Sequence, residues 1–173
     1  MKGKKNVHRG RYTAEMPVDF VVFLIGMRIN RPWKVHKWLP VFVAMPRMLR
    51  CLDQHPEAGL LEWHNAWING PAVVQYWRSF EDLNRFARAP EQPHLPVWKW
   101  YNRAVHASGD VGTWHETYKV HAAEHESIYS NMPRIGLAAA AAHIPVGSSA
   151  QSAARRIGAT ELDEPALAPY PNP

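Results

Sequence analysis

Apolar residues occupy both parities of the stretch from Phe20 to Met27. Phe20, Val22 and Leu24 fall on one side; Val21, Phe23, Ile25 and Met27 fall on the other. Side chains alternate along a strand, so this pattern predicts a strand over Val18–Asn30 that is covered on both faces. The domain's own helices can cover one face, and a second copy of the chain is the natural cover for the other. Arg31-Pro32 ends the run. Trp33–Gln54 reads as a helix, broken or kinked near Pro40 and Pro46, with Leu39, Phe42, Val43, Pro46 and Leu49 on its inward side. His55–Gly59 is a stop and turn. Leu60–Ile68 reads as a strand with Leu61, Trp63 and Trp67 on one parity, and Asn69-Gly70 is a strong hairpin signal. Ala72–Ser79 pairs back. Ser79 then caps a helix, with Asp82 three residues on, that runs to Ala89. Pro90, Pro93 and Pro96 interrupt it, and Pro96 suits the first turn of a new helix that ends near Ser108. Gly109-Asp110 turns the chain into a strand over Val111–Val120, and a short strand follows at Glu126–Asn131.

The order β-α-β-β-α-β, with an extra C-terminal strand, predicts an α+β fold. It is the ferredoxin-like split βαβ arrangement, a four-stranded antiparallel sheet with two helices on one face. Residues 1–16 read as a flexible basic arm and 17–146 as the folded domain. Ala138–Ala142 favours a short helix. Beyond Gly147 the chain is rich in Ser, Ala, Pro and Gly without periodicity, so 147–173 reads as a disordered or loosely packed tail.

Charge sharpens the division. The formal net charge is +5, and Lys2, Lys4, Lys5, Arg9 and Arg11 supply all of it; the rest of the chain balances 15 acidic side chains with as many basic ones. A balanced body argues against nucleic acid as a partner. The Phe20–Ile29 run is far shorter than the roughly 20 apolar residues of a membrane span. Cys51 is the one cysteine, so no intrachain disulfide can form and a cytoplasmic location is expected. Eight tryptophans in 173 residues bring large apolar surfaces suited to lining a pocket.

Few residues carry chemistry. His94 sits between proline breaks beside Trp98 and Trp100; on a helix it would share a side with Trp98, Tyr101 and Val105. An imidazole against apolar walls can act as a base, hydrogen-bond a substrate or ligate iron, and otherwise caps the helix. In Trp114-His115-Glu116-Thr117-Tyr118, alternation puts His115 and Thr117 on one side and Trp114, Glu116 and Tyr118 on the other. Inside a barrel the Glu116 carboxyl would be raised by desolvation and could move protons; on an outer face it is a solvated charge. Glu62, His64 and Arg28 read as cross-strand surface partners. His121 and His125 have metal-ligand spacing only on a helix, and otherwise read as loop histidines. Gly-rich phosphate loops, paired cysteines, His-Glu-x-x-His and Gly-x-Ser-x-Gly are absent, which disfavours nucleotide enzymes and the hydrolases built on those motifs.

The strings Met27-Arg28-Ile29-Asn30, Trp33 to Pro40, Val74-Gln75-Tyr76-Trp77-Arg78-Ser79, Gly109 to Tyr118 and Ile128 to Pro133 resemble the fungal monooxygenase af470-like family, over roughly residues 10–145. The resemblance implies a homodimeric α+β barrel of the antibiotic-biosynthesis monooxygenase type and an oxygenase role in secondary metabolism. The residues themselves place an apolar small-molecule substrate within each barrel, walled by Trp63, Trp77, Trp98, Tyr101, Trp114 and Tyr118, with His94, His115 and Glu116 as its polar, catalytic groups. Two chemical routes run through that superfamily. One oxidises electron-rich substrates with oxygen and no bound cofactor. The other, as in haem-degrading monooxygenases and aldoxime dehydratases, holds haem b through a histidine near the second helix, and His94 is the nearest position to it. A third reading is a non-catalytic dimeric module that sequesters an apolar metabolite.

Overall fold

The computed structural model describes residues 6–89, 99–101, 103, 105–147 and 152–158. The elements in order are β1 (His8–Glu15), β2 (Phe20–Ile29), α1 (Val35–Gln54), β3 (Leu60–Trp67), β4 (Pro71–Trp77), α2 (Phe80–Arg88), β5 (Val111–Val120), β6 (Tyr129–Met132), α3 (Leu137–Ala140), β7 (Ala142–Pro145) and α4 (Ala153–Arg156). They form two compact units, one from residues 21–118 and one from 1–20 with 119–173.

The first unit carries the four-stranded sheet in the order β3-β4-β2-β5. This is the split βαβ arrangement, and the fold is α+β and ferredoxin-like as expected. β2 runs antiparallel to β4, with Val21 opposite Trp77, Phe23 opposite Gln75 and Ile25 opposite Val73. β3 pairs with the other edge of β4 and sets Trp63 opposite Gln75. The β3–β4 turn is the Asn69-Gly70 hairpin; both residues lie at positive φ, 53° and 149°, which suits Asn and Gly.

The odd-numbered side chains of β2 face the helices. Val21 and Trp77 are buried with Met48 and Leu52 of α1 and with Leu83 and Phe86 of α2. At the other end of the same face Met27 is buried with Tyr101, Val105 and Val111, against Trp38 and Val41. α1 is one helix that runs through Pro40 and Pro46. Its inward stripe is Trp38, Val41, Met45, Met48 and Leu52 together with Leu49. Of the expected stripe Leu49 is inward, whereas Leu39 and Phe42 remain 42% exposed. The helix is apolar nearly all round, so periodicity alone could not choose its inward side.

Two buried aspartates fasten the joints. Ser79 Oγ caps α2 by accepting from the Asp82 N–H at 3.1 Å. The Asp82 carboxylate accepts from Arg78 Nε at 2.7 Å and Arg85 Nη1 at 2.8 Å. Asp110, 1% exposed, stands just ahead of β5. Its carboxylate accepts from Lys34 Nζ at 2.9 Å and pairs with Arg31 at 3.0 Å, while its carbonyl accepts from the backbone N–H groups of Asn30 and Arg31. One residue thus ties the end of β2, the start of α1 and the start of β5. The Lys34 hydrogen bond is the main reason that its carboxyl lies below the usual range.

The second unit departs from expectation. His8–Glu15, read as part of a loose arm, is a strand flanked by β6 and β7 in a three-stranded antiparallel sheet. The C-terminal strand joins this sheet and not the four-stranded one. Side chains from the far end of the chain complete β1: Asn131 Oδ1 accepts from Gly10 N–H and Ser127 Oγ from Ala14 N–H, both at 3.0 Å. Tyr12 stacks on His143 with ring centres 4.4 Å apart, and burial pushes the His143 imidazole below its usual range. The tail too holds a described element, α4, whose Arg156 pairs with Glu126.

Candidate functional site on the helix-facing side of the sheet

Between the two buried clusters, cross-strand neighbours make a row across the sheet: Trp63 on β3, Gln75 on β4, Phe23 on β2 and His115 on β5. Gln75 is opposite both Trp63 and Phe23. The His115 ring stands 5.7 Å from that of Phe23. Strand alternation puts all four on the face that carries α1 and α2. Trp63 is fixed at the end of α1, its Nε1 donating to Asp53 Oδ1 at 3.0 Å. His115 is exposed, whereas Phe23 and Trp63 are half-buried.

Gln75 is the unusual member. It is 1% exposed in the middle of a sheet. Its Oε1 accepts from the indole Nε1–H of Trp77 at 2.8 Å, and its Nε2 has no hydrogen-bond partner among the described residues. An indole nitrogen only donates, so the amide can present only its oxygen to Trp77. The NH2 must then point the other way. Leaving such a donor unmet in a dry interior costs about 1–3 kcal/mol.

The residues picked from sequence divide between the two faces. Trp63 and His115 lie on the helix-facing side, as does Trp77, which is fully buried in the core cluster and holds Gln75 without lining open space. Tyr101 is buried at the other end and donates from its hydroxyl to the Val111 carbonyl at 3.0 Å. Trp114 is on the opposite face, laid flat on β2. A Cβ at Gly26 would come within 2.7 Å of the indole, so only glycine admits the ring there. Glu116 and Tyr118 share that opposite face and are exposed; the Tyr118 hydroxyl donates to Glu116 at 2.6 Å, and this contact raises its pKa. His115 and Glu116 are therefore not brought together. Nor is Trp114 on one wall with Trp63 and Trp77. His94 and Trp98 lie outside the described residues. On β3, Glu62 and His64 are opposite Tyr76 and Val74.

In the second unit His121 pairs with Asp19 at 2.9 Å, which raises its pKa, and His125 packs on Phe20. No group of three or more His, Cys, Asp or Glu is placed to hold a metal among the described residues. Sequence reading passed over Gln75 and Phe23. The signal for Gln75 was a lone amide on the parity of Val73 and Trp77 within an otherwise apolar strand.

On this face the half-buried rings of Phe23 and Trp63 flank the buried Gln75 amide, and the exposed His115 imidazole ends the row. No helix among the described residues is long and apolar enough to cross a membrane.

No curated protein matches the chain in sequence. Among solved structures it is similar to a crystal structure of aldoxime dehydratase (OxdRE) in complex with butyraldoxime, with a TM-score of 0.58 and 18% identity over 81% of this chain and 44% of that one. The chain thus spans less than half the length of the dehydratase, and at this identity the likeness concerns fold alone. A dimeric ferredoxin-like protein from an uncultured marine organism matches at a TM-score of 0.32 and 10% identity, over 60% of this chain and 95% of that one. The family model described as Monooxygenase af470-like matches residues 20–137, which contain the whole four-stranded sheet, α1, α2 and the row from Trp63 to His115. The chain belongs to the monooxygenase af470-like family.

Proposed function

We propose that this protein is a monooxygenase-like oxidoreductase that takes an apolar small molecule of secondary metabolism on the helix-facing side of its four-stranded sheet. The observation that carries this reading is the row Trp63, Gln75, Phe23 and His115, lying between two apolar clusters within the family-matched segment. In the cofactor-free route His115 accepts a proton from an activated position of the substrate. The carbanion left behind passes electrons to oxygen; one oxygen atom enters the product and the other leaves as water. The substrate supplies the electrons for both. The developing negative charge needs a fixed donor, which is a role for an amide N–H.

The haem version names His94 as its iron ligand, outside the described residues. Within the described part of the sheet, the imidazole on the helix-facing side is His115, at an exposed position. A single exposed imidazole does not by itself make a haem site. A Soret band in the purified protein, lost in His94→Ala, would replace the cofactor-free route with haem chemistry.

Oxygen uptake with a panel of electron-rich hydroxyaromatic substrates tests the reading. His115→Ala is expected to lower the rate about a hundredfold or more, the usual scale for a positioned base. Saturable binding with no uptake from any substrate would favour the sequestering module.

We propose in addition that two copies pair through the opposite face, where Val22, Leu24, Val74 and Trp114 are only half-buried. Sedimentation should give a dimer at micromolar concentration; a monomer there contradicts this pairing. A sequence with a single cysteine, Cys51, fits a reducing, cytoplasmic setting.

A further inference from the structure

We infer that Gln75 is the ligand-reading residue of this protein: its Nε2–H donates to an acceptor oxygen, a carbonyl or a phenolate, on the apolar molecule bound against Phe23 and Trp63. The inference rests on the reading of the helix-facing side as a ligand pocket and names the chemistry that pocket selects.

Three observations converge on it. Gln75 is 1% exposed, and its Nε2 has no partner among the described residues, so the structure holds a donor with nothing to donate to. Trp77, itself 0% exposed, grips Oε1 at 2.8 Å and fixes which end of the amide faces away from the core cluster. The two residues opposite Gln75 are the aromatic Phe23 and Trp63, which are half-buried. A buried donor held rigid by a second buried side chain cannot turn to find another partner. A ligand oxygen between the two rings would satisfy it, and an apolar ligand without oxygen would leave it unmet. Discrimination by an unmet buried partner is larger than the gain from the bond itself.

The test uses a matched pair of probes, 1-tetralone and tetralin, which share a bicyclic body and differ by one carbonyl oxygen. Binding to the full chain is followed by isothermal titration. The wild type should bind 1-tetralone about tenfold more tightly than tetralin. Gln75→Met should bind both alike. That variant leaves the Trp77 N–H unmet, so the double variant Gln75→Met, Trp77→Phe removes both partners and keeps the core apolar; it too should bind both alike. Equal binding of the two probes by the wild type overturns the role of Gln75 and leaves the pocket standing. A preference for 1-tetralone that survives in both variants also overturns it. Binding of neither probe by the wild type contradicts the pocket and the inference together.

Discussion

Asp110 and Gln75 are both 1% exposed polar side chains on the same unit, and they have opposite fates. Asp110 is saturated: Lys34, Arg31 and Ser108 all hold it, and it ties three elements together. Gln75 is half-satisfied, with Trp77 on its oxygen and nothing described on its nitrogen. Interiors demand partners for polar groups. A polar residue that finds all of them locally is explained by the fold. One that finds half of them, in a position where the other half cannot turn toward solvent, is explained by something the fold receives. Burial alone therefore does not separate architecture from function; the state of the hydrogen bonds does.

The contrast can be broken at its support. Trp77→Ala removes a fully buried indole from the core cluster and frees the Gln75 oxygen as well. It should cost about 3–5 kcal/mol of stability, measured by urea denaturation. A loss below about 1 kcal/mol would mean that the indole is not the anchor described here.

Asp110→Asn should have the next largest effect. It removes the charge that gathers Lys34 and Arg31 but keeps the shape. The melting temperature should fall clearly, while the preference between the two probes at Gln75 is unchanged. An altered preference would show that the two regions are not independent.

Acidification should have the smallest effect and comes from the same group. The folded carboxyls of Asp110 and Asp82 lie below their ordinary range, Asp110 chiefly through Lys34 and Asp82 chiefly through Arg78. A depressed folded pKa contributes stability that is fully present above the unfolded value of about 4 and is lost as pH falls through the folded value. Denaturation midpoints should therefore hold steady near neutrality and drop in acid below about pH 4, with a shallower drop in Asp110→Asn. A midpoint for Asp110→Asn that falls as steeply as the wild type would remove Asp110 from this account.

Much of this was legible from residues alone. Two-sided apolarity placed β2, and alternation put His115 and Glu116 on opposite sides of β5. Asn69-Gly70 gave the hairpin and Ser79 the cap, because turn and cap chemistry is local. What stayed hidden depends on distant partners. β1 is polar and basic, without alternation, and becomes a strand only because β6 and β7 return from more than a hundred residues away. The inward side of α1 was masked by its surplus of apolar residues. Gln75 looked like one polar interruption in a strand; its meaning lies in which face it takes and in the single bond it makes there.

The most direct measurement is an NMR titration that follows the side-chain amide of Gln75 and the indole N–H groups of Trp77 and Trp114 as 1-tetralone is added. The account predicts that the free Nε2–H proton of Gln75 shifts downfield as the ligand carbonyl takes it up, while the Trp114 indole on the far face stays still. A silent Gln75 amide at saturating ligand, or a response confined to Trp114, would contradict it.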